Sequence, residues 1–283
     1  MPIVAPTHQA VTVPNILYGT AWKEQRTEEL TFMALEAGFR GVDTANQRKH
    51  YYEAGVGSAV ARALAGNAQL RREHLFLQTK FTFRAGQDER LPYDPKSNIS
   101  DQVAQSLASS LEHLQTEYID AYLLHGPSMR VGIGALDWEA WRSMETLTQR
   151  GKARLIGISN VTLDQLQLLF AEATVKPAIV QNRCYARFGW DSAVRSFCRA
   201  QGIVYQGFSL LTANQRELSA AAVRALQERT GLTQAELVFA FAARQGFVSL
   251  TGTTRLEHMR MDLKAVELTL SETDLKVIGG ASG

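Results

Sequence analysis

Near the middle of the chain, four segments follow one another: Ile119 to His125 (IDAYLLH), Trp138 to Gln149 (WEAWRSMETLTQ), Ala153 to Ser159 (ARLIGIS) and Thr162 to Ala173 (TLDQLQLLFAEA). The first and third are short apolar runs, as expected of strands buried on both faces. The second and fourth repeat apolar residues every three or four positions, so they read as amphipathic helices. Gly151 lies just past the first helix and Asn160 precedes the second, as helix stop and start signals. The unit is therefore strand–helix–strand–helix.

The same alternation extends in both directions. Toward the N-terminus the reading gives strands at Asn15 to Gly19, Phe39 to Asp43 and Leu75 to Lys80, with helices at Thr27 to Ala37, Glu53 to Leu64 and Ile99 to Leu114. Toward the C-terminus it gives strands at Pro177 to Gln181, Ile203 to Phe208 and Phe247 to Leu250. Helices there are expected at Ser192 to Ala200, Ala221 to Thr230, Thr233 to Gln245 and Leu256 to Ala265, and a short one opens at Ser271. Eight strands alternating with helices imply a parallel sheet with right-handed crossovers. No linker or composition break interrupts residues 1–283, so the expected fold is a single-domain α/β (β/α)8 TIM barrel. A doubly wound open sheet competes, but no G-x-G-x-x-G follows the first strand.

Composition narrows the function. Lys and Arg total 30 against 28 Asp and Glu, a net charge of +2. That balance argues against nucleic acid or an acidic membrane as partner. Cys184 and Cys198 are too few for a disulfide framework or a thiolate metal site, so no metal is expected. No apolar run approaches the roughly 20 residues of a membrane span. The opening MPIVAPTHQA lacks the pattern of a secretion signal, and a cytoplasmic location is expected.

In such barrels the chemistry lies where strands run into the following loops. Those ends carry Asp43, Lys80, His125, Ser159 with Asn160, Gln181, and Phe208 with Ser209. Singly, each has an ordinary explanation: Asp43 as a loop cap, Lys80 snorkelling to solvent, His125 as a core imidazole. Together, three ionisable groups at consecutive strand ends can neutralise one another in one pocket, the pattern of a catalytic site.

These residues belong to segments that resemble the aldo-keto reductases: Gly38 to Val60 (GFRGVDTANQRKHYYEAGVGSAV), LFLQTK, YIDAYLLHGP, GKARLIGISN and IVQNRCY, with weaker matches in LYGTAW and GFSLL. The resemblance spans nearly the whole chain. It implies a barrel holding a nicotinamide cofactor and reducing aldehydes or ketones to alcohols. It further implies a catalytic tetrad of Asp43, a tyrosine, Lys80 and His125. A carbonyl that accepts hydride becomes an alkoxide, which needs a proton. A neighbouring ammonium should lower the pKa of the phenol that gives it, with Asp43 holding that ammonium and His125 orienting the carbonyl. The family's usual tyrosine position holds Arg48, leaving Tyr51 and Tyr52 as candidates. Matching Glu53 and Val56-Gly57 to the family's Glu-x-x-Val-Gly favours Tyr51.

The resemblance also implies that Ser159, Asn160 and Gln181 bind the nicotinamide carboxamide, that Phe208 stacks on its ring, and that Ser209 to Leu211 bind the pyrophosphate. At the adenosine end, relatives commonly carry Lys-Ser, then Arg and Asn. Here the stretch reads Thr251-Gly252-Thr253-Thr254-Arg255, with His258 and Asp262 beyond. Thr251 and Arg255 are the candidate contacts there; NADPH is expected, and NADH stays open. Trp22 and Tyr52 are the candidate substrate contacts. The chain ends soon after Leu275, so an open site is expected, in a monomer or weak homo-oligomer. The alternative reading is a nucleotide-binding regulatory subunit with little turnover.

Overall fold

A computed structural model describes residues 3–5 and 11–281. Strands β1 (Ile3–Ala5) and β2 (Val11–Val13) pair as an antiparallel hairpin. Eight parallel strands then close a barrel: β3 (Ile16–Gly19), β4 (Gly41–Asp43), β5 (Phe76–Phe81), β6 (Ile119–Leu124), β7 (Ala153–Ser159), β8 (Ile179–Arg183), β9 (Val204–Phe208) and β10 (Val248–Thr251). They pair in chain order, and β10 closes on β3. The expected TIM barrel is the architecture found. The reading of the opening ten residues as free of a secretion signal falls mostly outside the described residues.

Every barrel strand is buried on both faces, yet its residues divide with period two between two apolar clusters. Phe76, Leu123, Leu155, Ile179, Val204 and Val248 point inward and pack with Leu17 and with Val11 and Val13 of the hairpin, which stoppers the N-terminal end of the barrel. Their neighbours Leu77, Tyr122, Leu124, Ile156, Val180 and Tyr205 point outward and pack under the helices. The hairpin was not foreseen from sequence: three-residue strands carry too few alternations to stand out.

Two strand boundaries shift for identifiable reasons. The β4 strand begins at Gly41 rather than Phe39, because the Phe39 N–H still caps the preceding helix on the Ala34 carbonyl at 3.0 Å. The β8 strand runs Ile179–Arg183 rather than Pro177 to Gln181. Pro177 has no N–H for the ladder, so pairing starts later and extends to Arg183. That extension brings Arg183 to the functional rim. Among the described residues no helix is long and apolar enough to cross a membrane.

Candidate active site

The inward parity set by the lower apolar layer continues up each strand and decides which polar side chains meet. Phe76 is followed on the same face by Gln78 and Lys80, Leu123 by His125, Ile179 by Gln181 and Arg183, and Val204 by Gln206 and Phe208. Asp43 at the end of β4 joins them. Lys80 Nζ lies 2.7 and 2.8 Å from the two Asp43 carboxylate oxygens and donates to the Thr44 carbonyl at 2.8 Å. Asp43 Oδ1 also accepts from Gln78 Nε2 at 2.6 Å and Gln181 Nε2 at 2.9 Å. Gln206 completes the layer, donating to Gln78 Oε1 at 2.9 Å and accepting from Gln181 Nε2 at 2.9 Å. Lys80 and Asp43 are 1% and 2% exposed, so each charge needs the other and the amides around them.

Tyr51 reaches this layer from the loop between β4 and the helix Glu53–Gly66. That loop is fixed at several points. Asn46 Nδ2 donates to the Ser106 carbonyl at 2.9 Å, and Gln87 Nε2 donates to the Asn46 carbonyl at 2.8 Å. Glu53, buried at the start of the helix, accepts from Thr79 and Ser110. The Tyr51 ring is 6.0 Å from the His125 ring, edge to face, and its centroid is 5.4 Å from Lys80 Nζ. Asp43, Tyr51, Lys80 and His125 thus occupy one mouth of the barrel. Tyr52 does not line the cavity there: its ring packs under the Arg48 guanidinium at 4.6 Å. The expectation of a substrate contact from Tyr52 is not met in this arrangement, because consecutive side chains leave the loop in different directions.

Electrostatics differ from the sequence expectation at the phenol. Burial raises the Tyr51 pKa above its ordinary value, and the Asp43 charge adds to the rise. Lys80 does not reverse this, since its ammonium is spent on Asp43, and burial lowers its own pKa. Burial, then the Lys80 charge, pushes His125 down to about 3, so its imidazole is neutral. His125 Nδ1 is 2.7 Å from the Thr82 hydroxyl.

A cavity of about 950 Å³ runs from these groups along the barrel mouth. At one end stand Trp22, 72% exposed, and His50, whose rings lie 3.9 Å apart. It is also lined by Ser159, Asn160, Gln181, Phe208 and Ser209 to Thr212, and by Thr251 to Thr254, His258 and Asp262. Ser159 Oγ donates to the Gln181 carbonyl at 2.6 Å and Asn160 Nδ2 to the His125 carbonyl at 2.8 Å. Asn160 and Ser209 adopt left-handed backbone, with φ of 53° and 56°, a conformation uncommon for non-glycine residues. Thr251 lines the cavity and donates to Asp262 at 2.7 Å. Arg255 does not line it: the side chain is exposed and pairs with Glu257 at 3.3 Å.

Several residues of the site were missed from sequence: Gln78 and Gln206 of the buried amide layer, and Arg183 and Lys23, which line the cavity. Gln78 and Gln206 lie two positions before Lys80 and Phe208, and Arg183 two after Gln181, so stepping by two along each strand would have found them. The Arg183 guanidinium sits 5.5 Å from the Phe208 ring. Lys23 comes from the loop after β3 and donates to the Gly252 carbonyl at 2.7 Å. Burial, with Arg26 nearby, lowers its pKa to about 8. No signal local in sequence points to that crossing.

The model of the Aldo/keto reductase family matches residues 16–282. Among curated proteins, the chain is similar to a D-galacturonate reductase of Fragaria ananassa, 29% identical over 94% of this chain and 85% of the relative. It is likewise similar to deoxymugineic acid synthase 1 of Oryza sativa subsp. japonica, 29% identical over 95% and 86%. Among solved structures, an aldose reductase from Schistosoma japonicum superposes with a TM-score of 0.83 at 21% identity, over 100% of this chain and 92% of that one. An aldo-keto reductase complexed with NADPH gives 0.82 at 20% identity, over 99% and 88%. With a barrel closed in the expected order and a family match running from the first barrel strand nearly to the end, this chain belongs to the aldo/keto reductase family.

Proposed function

We propose that the protein reduces aldehydes or ketones to alcohols with NADPH, using Tyr51 as the proton donor. The convergence of Tyr51, His125 and the Asp43–Lys80 pair on one end of the long cavity carries this reading. The cavity suits an extended nucleotide. Its volume is at the upper end of the roughly 300–1,000 Å³ of small-molecule sites. Its lining offers an aromatic face at Phe208 and the half-buried segment Ser209 to Leu211. Asn160 Oδ1 and Gln181 Oε1 would accept from the carboxamide N–H groups while their N–H groups hold His125 and Asp43 in place. Lys23 and Arg183 are the cations that line the cavity and would face the phosphates. A reduced nicotinamide supplies hydride when bound.

The side chains then divide the remaining work. The Thr82 hydroxyl donates to His125 Nδ1, which leaves Nε2–H to donate to the substrate carbonyl and fix its position. Tyr51 holds its proton firmly until negative charge develops on that oxygen. An alkoxide is a stronger base than a phenolate, so transfer runs downhill even from a phenol of raised pKa. Lys80 Nζ, 5.4 Å from the Tyr51 ring centre, would be the nearest cation to the phenolate left behind once the proton has gone, and Asp43 compensates that ammonium in its buried site.

Purified protein should oxidise NADPH with 4-nitrobenzaldehyde. Tyr51→Phe should lower kcat by about 10²–10⁴, while NADPH still quenches tryptophan fluorescence with wild-type affinity. A variant that retains wild-type kcat removes Tyr51 from this role. Parallel titrations with NADH show which nucleotide the site prefers, the stretch Thr251 to Arg255 lacking the Lys-Ser expected from the family resemblance.

A further inference from the structure

Two lysines are buried at the mouth of the barrel, and their surroundings differ. Lys80 donates to both oxygens of Asp43 and to the Thr44 carbonyl, so its three hydrogens are all engaged. Lys23 is 7% exposed and has no carboxylate within ion-pair distance among the described residues. Its one acceptor there is the Gly252 carbonyl at 2.7 Å, and its Nζ lies 5.1 Å from the centre of the Tyr18 ring. The charge that acts on it is that of Arg26, which repels it. The backbone turns this lysine inward. Trp22 and Glu24 on either side have left-handed φ of 63° and 48°, uncommon without glycine, and Trp22 points to solvent. Lys23 and Gly252 both line the cavity. Gly252 has no side chain to cover the amine; a Cβ there would stand 3.6 Å from Nζ.

A buried ammonium without a counter-ion readily gives up its proton, because the charged form alone suffers from the loss of water. Burial, and then Arg26, accordingly bring the Lys23 pKa down to about 8. An ordinary lysine titrates near 10.4. Desolvation beside another cation is the setting in which a lysine becomes a nucleophile. We propose that Lys23 is a covalent capture site for aldehydes entering the cavity, which it holds reversibly as imines. The lone pair of the free amine bonds to the carbonyl carbon as the C=O π pair moves onto oxygen. Both N–H hydrogens then leave with that oxygen as water, and nitrogen is left double-bonded to carbon. Capture needs no hydride, so it stands apart from the reductase reading.

The test is reductive trapping of the nucleotide-free protein at pH 8 with propanal and sodium cyanoborohydride, which reduces an imine but spares the aldehyde. Peptide mapping by mass spectrometry gives the rate at each lysine. Lys49, Lys96, Lys152, Lys176, Lys264 and Lys276 are all exposed, so accessibility alone would put Lys23 behind every one of them. Capture at a free amine puts it ahead, by about tenfold. In urea that lead should vanish, because it comes from the folded surroundings. Bound NADPH, reported by tryptophan quenching, should shield Lys23 and leave the exposed lysines unchanged. A Lys23 rate no higher than theirs, a lead that persists in urea, or labelling indifferent to bound nucleotide overturns the proposal. A protein that traps aldehyde at Lys23 yet reduces no carbonyl keeps this site and loses the reductase reading.

Discussion

Four hydrogen bonds converge on the Asp43 carboxylate, two from Lys80 and one each from Gln78 and Gln181. That set supplies the partners a carboxylate buried in the barrel interior needs. Asp262 is the contrast. It is 3% exposed, its one hydrogen-bond donor among the described residues is the Thr251 hydroxyl, and burial raises its pKa to about 6. An unfolded aspartate titrates near 3.9, so the folded state holds this proton more tightly. The resulting stabilisation is complete below about pH 4 and is lost as pH rises through about 6, by on the order of 2–3 kcal/mol. Asp262→Asn copies the protonated form and still accepts from Thr251. Urea unfolding of the nucleotide-free protein should therefore show the variant gaining about 2 kcal/mol on wild type between pH 4.5 and pH 8. A difference that stays constant with pH contradicts the burial argument. The partners of Asp43 were only partly legible in sequence: Lys80 and Gln181 end their strands as written, whereas Gln78 and Gln206 sit inside apolar runs and look like interruptions.

Strands buried on both faces hide their own parity, since inward and outward positions are equally apolar. Leu155, Gly157 and Ser159 of β7 share the inward face, and only the serine shows it in sequence. Gly157 also records how closely β7 approaches its neighbours. A Cβ there would lie 2.3 Å from the Ile179 carbonyl oxygen and 2.7 Å from Leu123 Cδ2. Backbone cannot yield as a flexible side chain can, so Gly157→Ala should cost about 1–3 kcal/mol in chemical denaturation. Because Ser159 lies two residues further up the strand, the same substitution should weaken nucleotide binding. Unchanged stability would mean that β7 and β8 can separate at no cost. Helices were easier to place. The Ile99–Leu114, Ala221–Thr230 and Leu256–Ala265 helices have the expected bounds, because helical periodicity survives wherever one face meets solvent. The β8 strand was misplaced by two residues because Pro177 reads as an apolar residue in a pattern count while being unable to donate to a ladder.

Closing the barrel turns strand ends scattered from Asp43 to Thr251 into one rim, so a ligand on that rim ties most of the molecule together. Occupancy by NADPH at a hundred times its Kd should add about 2.7 kcal/mol to stability. The melting temperature should then rise by roughly 5–10 °C. Absence of any shift with either nicotinamide nucleotide would refute the cofactor reading for the whole cavity. The alternation of strands and helices, the polar residues at strand ends and the family to which the chain belongs were determined by the sequence alone, since they are properties of short segments taken in order. Contacts between distant segments were decided by the tertiary structure: Lys23 reaching Gly252, Gln206 closing the amide layer, Tyr51 rather than Tyr52 entering the cavity, and Arg255 turning to Glu257. These depend on barrel closure and on the direction in which each side chain leaves its backbone. Neither can be expressed as spacing along a chain.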